Sequence, residues 1–133
     1  MGLKSFFGYY FAKYIFKKNN AWIKNAVRAQ NKQRDLVLKK AKNTKFGKDH
    51  DFSKISNYDE WKNSVPIRDY EGLKSYIDLV IEGENDVLWP GKPIYFCKTS
   101  GTTSGSKYIP ISKNSMKYHI IAARDAILAY IYE

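Results

Sequence analysis

Apolar side chains return every three or four residues through the opening of the chain. Leu3, Phe6, Phe7, Tyr10, Phe11, Tyr14 and Ile15 predict a first helix; Trp22, Ala26, Ala29, Leu36 and Val37, spaced less strictly among Lys and Arg, predict a second. Asn19 and Asn20 stand between them as turn and N-cap. From Asn43 to Ser56 the helical period is broken by Gly47 and a run of polar turn formers, so an ordered loop is expected. Asn57 and Glu60 have the spacing of a capping box, which predicts a short helix through Trp61 ending where Pro66 forces Val65 extended. Another helix should begin near Asp69, carry Leu73, Tyr76, Ile77 and Val80 on one face, and stop at Gly83. After the turn WPGKP, two β-rich runs, IYFCKT and KYIPIS, bracket SGTTSGS as the strands of a hairpin with a long glycine-flexed loop. A closing helix with Tyr118, Ile121, Ala122, Ile127, Leu128 and Ile131 runs to Glu133. The fold class is therefore α+β, helix-rich with one hairpin.

Composition supports a core: 133 residues, 44% hydrophobic and 16% aromatic, suit a globular chain. The net charge of +10 is uneven. Met1 to Lys48 holds thirteen Lys and Arg against the single acid Asp35, whereas Asp49 to Glu133 holds ten against twelve acids. A basic front of this kind reads as a solvated helix face, as a surface for nucleic acid or anionic membrane, or as a surface laid on an acidic part of a larger protein. Lys13 interrupts the first apolar run, which is short of the roughly 20 residues a membrane span needs, and Phe6 stands where a myristoylation signal wants Ser or Thr. A cytoplasmic location with no membrane span is expected. One cysteine, Cys97, excludes an internal disulfide; inside IYFCK it reads as a buried strand thiol of no chemical role. Asp49, His50 and Asp51 adjoin one another, but consecutive side chains diverge and no second histidine stands at ligand spacing, so no metal site is assigned.

The chemistry of the chain concentrates between the two strands. Ser100, Thr102, Thr103, Ser104 and Ser106 offer hydroxyl donors, Gly101 and Gly105 let backbone N–H groups turn inward, and Lys107 adds a mobile cation. A polyphosphate would satisfy such a set. It is not the loop of the common NTPases, which needs Gly-Lys-Ser/Thr in succession and opens into a helix; here Ser106 separates Gly105 from Lys107 and a strand follows.

TSGTTSGSKYIPIS is similar to the phosphate-binding signature of the adenylate-forming superfamily. LKKAKNTKFGKDHDFSKI, VPIRDYEGLKSYI and LWPGKPIYFCKTSGTTSGSKYIPIS, in that order, resemble the start of the auxin-responsive acyl-acid amido synthetase family, in a bacterial form. The resemblance implies that Ser100, Gly101, Thr102, Thr103, Ser104 and Gly105 hold the phosphates of ATP and that Lys107 is the catalytic cation. It also implies that Tyr118 and Arg124, on the helix after the loop, belong to the acyl pocket, although an ordinary place on a helix surface explains that arginine better. The implied reaction is attack of a carboxylate on the α-phosphorus of ATP with Mg²⁺ assistance, followed by capture of the acyl group by an amino acid. The implied partners are the acyl acid, the amino acid and the remainder of a parent enzyme, with no nucleic acid. Family members are several times longer, so residues 1–133 are expected to form a single partial domain of the adenylate-forming portion. The C-terminal domain is missing from it, and it should be inactive alone. The alternative is a basic helical module that binds nucleic acid or an anionic membrane surface.

Overall fold

The computed structural model describes residues 3–100 and 105–133. Six helices and one hairpin follow in the order α1 (Leu3–Asn20), a 3₁₀ turn (Ala21–Asn25), α2 (Ala26–Ala41), α3 (Lys45–Asp49), α4 (Tyr58–Ser64), α5 (Tyr70–Ile81), β1 (Tyr95–Lys98), β2 (Tyr108–Ile111) and α6 (Lys113–Tyr132). The helix-rich α+β character expected from the pattern is what the chain adopts. Its contacts gather into two units, residues 1–30 with 114–133, and residues 31–113.

In the first unit α1 buries Ala12 and Ile15. The Tyr132 ring lies 5.8 Å from that of Tyr9 and 4.9 Å from that of Phe16, and the Asn19 amide donates to Asp125 Oδ2 at 2.7 Å. The first helix ends at Asn20, where the break was expected, but without the expected cap. Asn20 is helical, its side chain makes no capping bond, and the chain tightens into the 3₁₀ turn. Of the predicted apolar stripe Ile15 is buried, whereas Phe6, Phe7, Tyr10, Phe11 and Tyr14 are exposed, Phe7 by 62%. Aromatic residues ring most of α1, and the side that is covered is that of Ala12 and Ile15.

The second unit is centred on Leu38, Ala41 and Phe52, with Phe46, Ile55, Val65 and Trp89 packed around them. On α2 the inward positions are thus Leu38 and Ala41, three apart, rather than the exposed Leu36 and Val37. The stretch expected to be loop contains α3. Thr44, extended at φ −69° and ψ 163°, caps it by accepting from the Gly47 N–H, and the free amides of Lys45 and Phe46 donate to the carbonyls of Asp86 and Val87 at 2.7 and 2.9 Å. A helix this short forms because a distant segment satisfies its first turn.

Two helix starts follow the local code. Asn57 Oδ1 accepts from Glu60 N at 2.9 Å, but Glu60 reaches back to the amide and hydroxyl of Ser56, at 2.7 and 2.8 Å, one residue earlier than the usual box. Val65 is extended, as its following proline demands. Asp69 caps α5 through Gly72 N at 2.8 Å; Ile77 and Val80 are buried, and Gly83 at φ +95° takes the left-handed conformation that stops the helix. The strands pair antiparallel with Tyr95 opposite Ile111 and Lys98 opposite Tyr108. Cys97 lies on β1 as expected, yet it is exposed, because the strand belongs to a two-stranded ribbon.

Candidate phosphate-binding loop

The loop expected to hold phosphate is closed by its own neck. Thr99 N donates to the Lys107 carbonyl at 3.0 Å, and Lys107 N donates back to Thr99 Oγ1 at 3.2 Å. These bonds extend the ladder past Lys98 and Tyr108 and fix where the loop leaves and re-enters the sheet. Ser100, Gly105 and Ser106 are exposed beside the neck. Gly105 has φ +79°, and a Cβ there would meet nothing within 4 Å, so backbone conformation rather than crowding requires glycine. Gly101, Thr102, Thr103 and Ser104, four of the residues assigned to phosphate, lie outside the described residues.

Two lysines stand at the neck, each on a tyrosine ring. Lys107 Nζ lies 5.3 Å from the centre of Tyr70 and Lys98 Nζ 5.8 Å from that of Tyr108. The Tyr70 hydroxyl accepts from Tyr108 N at 3.0 Å, which docks the start of β2 on the first turn of α5. Sequence reasoning missed Lys98 and Tyr70. The hairpin register, with Lys98 opposite Tyr108, could have pointed to the lysine; nothing local points to a tyrosine 38 residues before the amide it meets.

Tyr118 and Arg124 lie on α6, in the first unit. Tyr118 is exposed, and Arg124 pairs with Asp125 at 2.6 Å. Asp125 sits below the ordinary carboxylate range: partial burial pushes it upward and is outweighed by hydrogen bonds from Arg124 and Asn19 and by the charges of Arg124 and Lys18.

His50 has a structural role. Its ring stacks on Phe46 at 4.1 Å, its Nδ1 bonds the Phe46 carbonyl at 2.8 Å, and Arg68 Nη2 lies 3.0 Å from Nε2. A carbonyl only accepts and a guanidinium only donates, so together these bonds require the Nδ1–H tautomer. Among the described residues no three His, Cys, Asp or Glu side chains gather as a metal site, and no helix is long and apolar enough to cross a membrane.

Comparison with known proteins agrees with the motifs. Residues 16–133 match the GH3 family N-terminal domain, and the chain belongs to that family, the auxin-responsive group its motifs resemble. It is similar to the indole-3-acetic acid-amido synthetase GH3.15 of Arabidopsis thaliana, 37% identical over 62 residues, which are 45% of this chain and 10% of that protein. The chain thus matches about a tenth of the length of this relative. No solved structure matches it.

Proposed function

We propose that this chain is the N-terminal part of an ATP-dependent acyl-acid amido synthetase, and that the loop between β1 and β2 holds the nucleotide's phosphates. The observation that carries the reading is the neck, where the Thr99–Lys107 bonds set a Ser/Thr/Gly segment between two ordered strands with a lysine at its exit. Hydroxyls, amides freed by glycine and an ammonium group are the donor set a phosphate chain takes. Ser100, Thr102, Thr103, Ser104 and the amides near Gly101 and Gly105 would hold the phosphates, and Lys107 would offset negative charge near them. ATP held there with Mg²⁺ would supply an α-phosphorus for attack by a carboxylate, with pyrophosphate leaving, and the acyl group so activated would pass to an amino acid's amine with AMP leaving. These residues position and neutralise, which is most of what a protein contributes to such a transfer. The amido synthetase activity of the Arabidopsis relative and the GH3 membership support an acid and an amino acid as substrates. We place the enzyme in the cytoplasm and expect the 133-residue chain alone to be inactive, because a cradle without the rest of the nucleotide site cannot orient the reacting groups.

The test is acyl-acid-dependent ATP–pyrophosphate exchange in the full-length protein. Lys107→Ala combined with Thr102→Ala should lower exchange by about 100-fold or more, the size seen when a preorganised donor is removed. Exchange at the parental rate in that double variant would refute the assignment.

A second reading draws on the exposed Phe6, Phe7, Tyr10, Phe11 and Tyr14 on a helix whose last turn carries Lys17 and Lys18. Apolar rings beside lysines suit an anionic lipid surface. Cosedimentation with phosphatidylserine vesicles that weakens with salt would support it, and equal recovery with neutral vesicles would remove it.

A further inference from the structure

We infer that Tyr70, at the start of α5, is a positioning residue for Lys107 and sets where its ammonium group stands at the neck of the loop; this rests on the reading that the loop binds phosphate. One side chain makes two contacts with consecutive residues, Lys107 at the exit of the loop and Tyr108 at the start of β2. Its ring lies under Lys107 Nζ at 5.3 Å, and its hydroxyl accepts from Tyr108 N at 3.0 Å. The first contact restrains the tip of a long, freely rotating side chain, and the second restrains the backbone next to the root of that side chain. Lys107 N and O are already fixed by Thr99 across the ladder, so the residue is held from both sides of the strand.

Tyr70 is itself well anchored. Asp69 caps the first turn of α5 through Gly72 N, while Ile77 and Val80 bury the far half of the helix. Tyr76 donates to Asp49 Oδ2 at 2.9 Å, tying α5 to the end of α3. A continuous path of packed and bonded groups therefore runs from the core through α5 to the lysine. Without Tyr70 the ammonium group would sweep a wide arc, and ordering it on a phosphate would cost the entropy of its stem.

The experiment uses the full-length protein and inorganic pyrophosphate as probe, with binding measured by calorimetry. Labelling of Lys107 by an amine-selective reagent, read by mass spectrometry, provides a second readout. Tyr70→Leu should weaken pyrophosphate binding about three- to tenfold, the size of a partly exposed cation–π contact, and speed Lys107 labelling. In a Lys107→Ala background the same change should alter affinity less than about twofold, because a residue acting through Lys107 has nothing left to position. Tyr70→Phe creates no cavity and keeps the ring; it should leave labelling near the parental rate while speeding hydrogen exchange at the Tyr108 amide. Parental affinity and labelling in Tyr70→Leu, an undiminished loss in the Lys107→Ala background, or unchanged Tyr108 exchange in Tyr70→Phe would each overturn the inference. Parental affinity in Lys107→Ala itself would instead refute the phosphate reading of the loop, and the labelling result would still decide whether Tyr70 holds the lysine.

Discussion

Replacing Thr44 by valine removes one hydroxyl from the best buried polar side chain of the second unit and leaves its volume nearly unchanged. Thr44 is 1% exposed; its Oγ1 donates to the Ala41 carbonyl at 2.7 Å and accepts from Gly47 N at 3.0 Å. The carbonyl keeps a partner, because Thr44 N also donates to it at 3.0 Å. The Gly47 amide, on a buried residue, loses its cap. One net hydrogen bond is worth about 1 kcal/mol and a buried amide left without an acceptor costs about 1–3 kcal/mol, so Thr44→Val should destabilise by roughly 2–4 kcal/mol. Against a total of about 5–15 kcal/mol this is a large fraction. In urea denaturation followed by circular dichroism, with a slope near 2 kcal/mol per molar, the midpoint should fall by about 1–2 M. Thr44→Ser keeps the hydroxyl and should recover most of the loss. A valine variant within about 0.5 kcal/mol of the parent, or a serine variant as weak as the valine one, would show that the cap is not what holds α3 in place.

Gly47→Ala should cost about 1–3 kcal/mol or more in the same assay, since its Cβ would press on the backbone carbonyl of Ala41, which cannot rotate away; an unchanged midpoint would contradict that packing. The Glu60 carboxyl is held below its ordinary value, first by the Ser56 amide and then by the Ser56 hydroxyl. Its contribution to the start of α4 is therefore present above the ordinary glutamate value and lost as pH falls through the lowered folded value. An NMR titration of Glu60 should show that lowered midpoint, and Ser56→Ala, which removes the hydroxyl but keeps the amide, should move it part of the way back up; a midpoint at the ordinary value in the parent would remove the claim. Cys97, exposed on β1, should react fully with a thiol reagent in the native protein, whereas protection until unfolding would mean that the ribbon is covered.

His50 illustrates how structure and site divide the chemistry-bearing residues. Flanked by two aspartates it has the composition of a ligand cluster, yet Phe46 and Arg68 use both of its ring nitrogens. The Lys107 side chain lies instead against an aromatic face at the edge of a loop, an arrangement that leaves an ammonium group able to meet an anion.

Capping, helical period and strand alternation act over four residues or fewer, and the features they govern were readable from the sequence. They gave the caps at Asn57 and Asp69, the extended Val65, both strands of the hairpin, the stop at Gly83 and the closing helix. The family was readable as well, because the order of three short motifs survives without any knowledge of contacts. Tertiary structure decided which apolar faces of α1 and α2 are covered, although the buried Ile77 and Val80 of α5 were on the expected face. It exposed the aromatic stripe of α1 and Cys97, turned Leu38 and Ala41 inward on α2, and made a helix of Lys45–Asp49 by lending it the carbonyls of Asp86 and Val87. It likewise set Tyr70 beneath Lys107. Burial and long-range hydrogen bonds depend on a second surface arriving from far along the chain, and no local pattern encodes where that surface will come to rest.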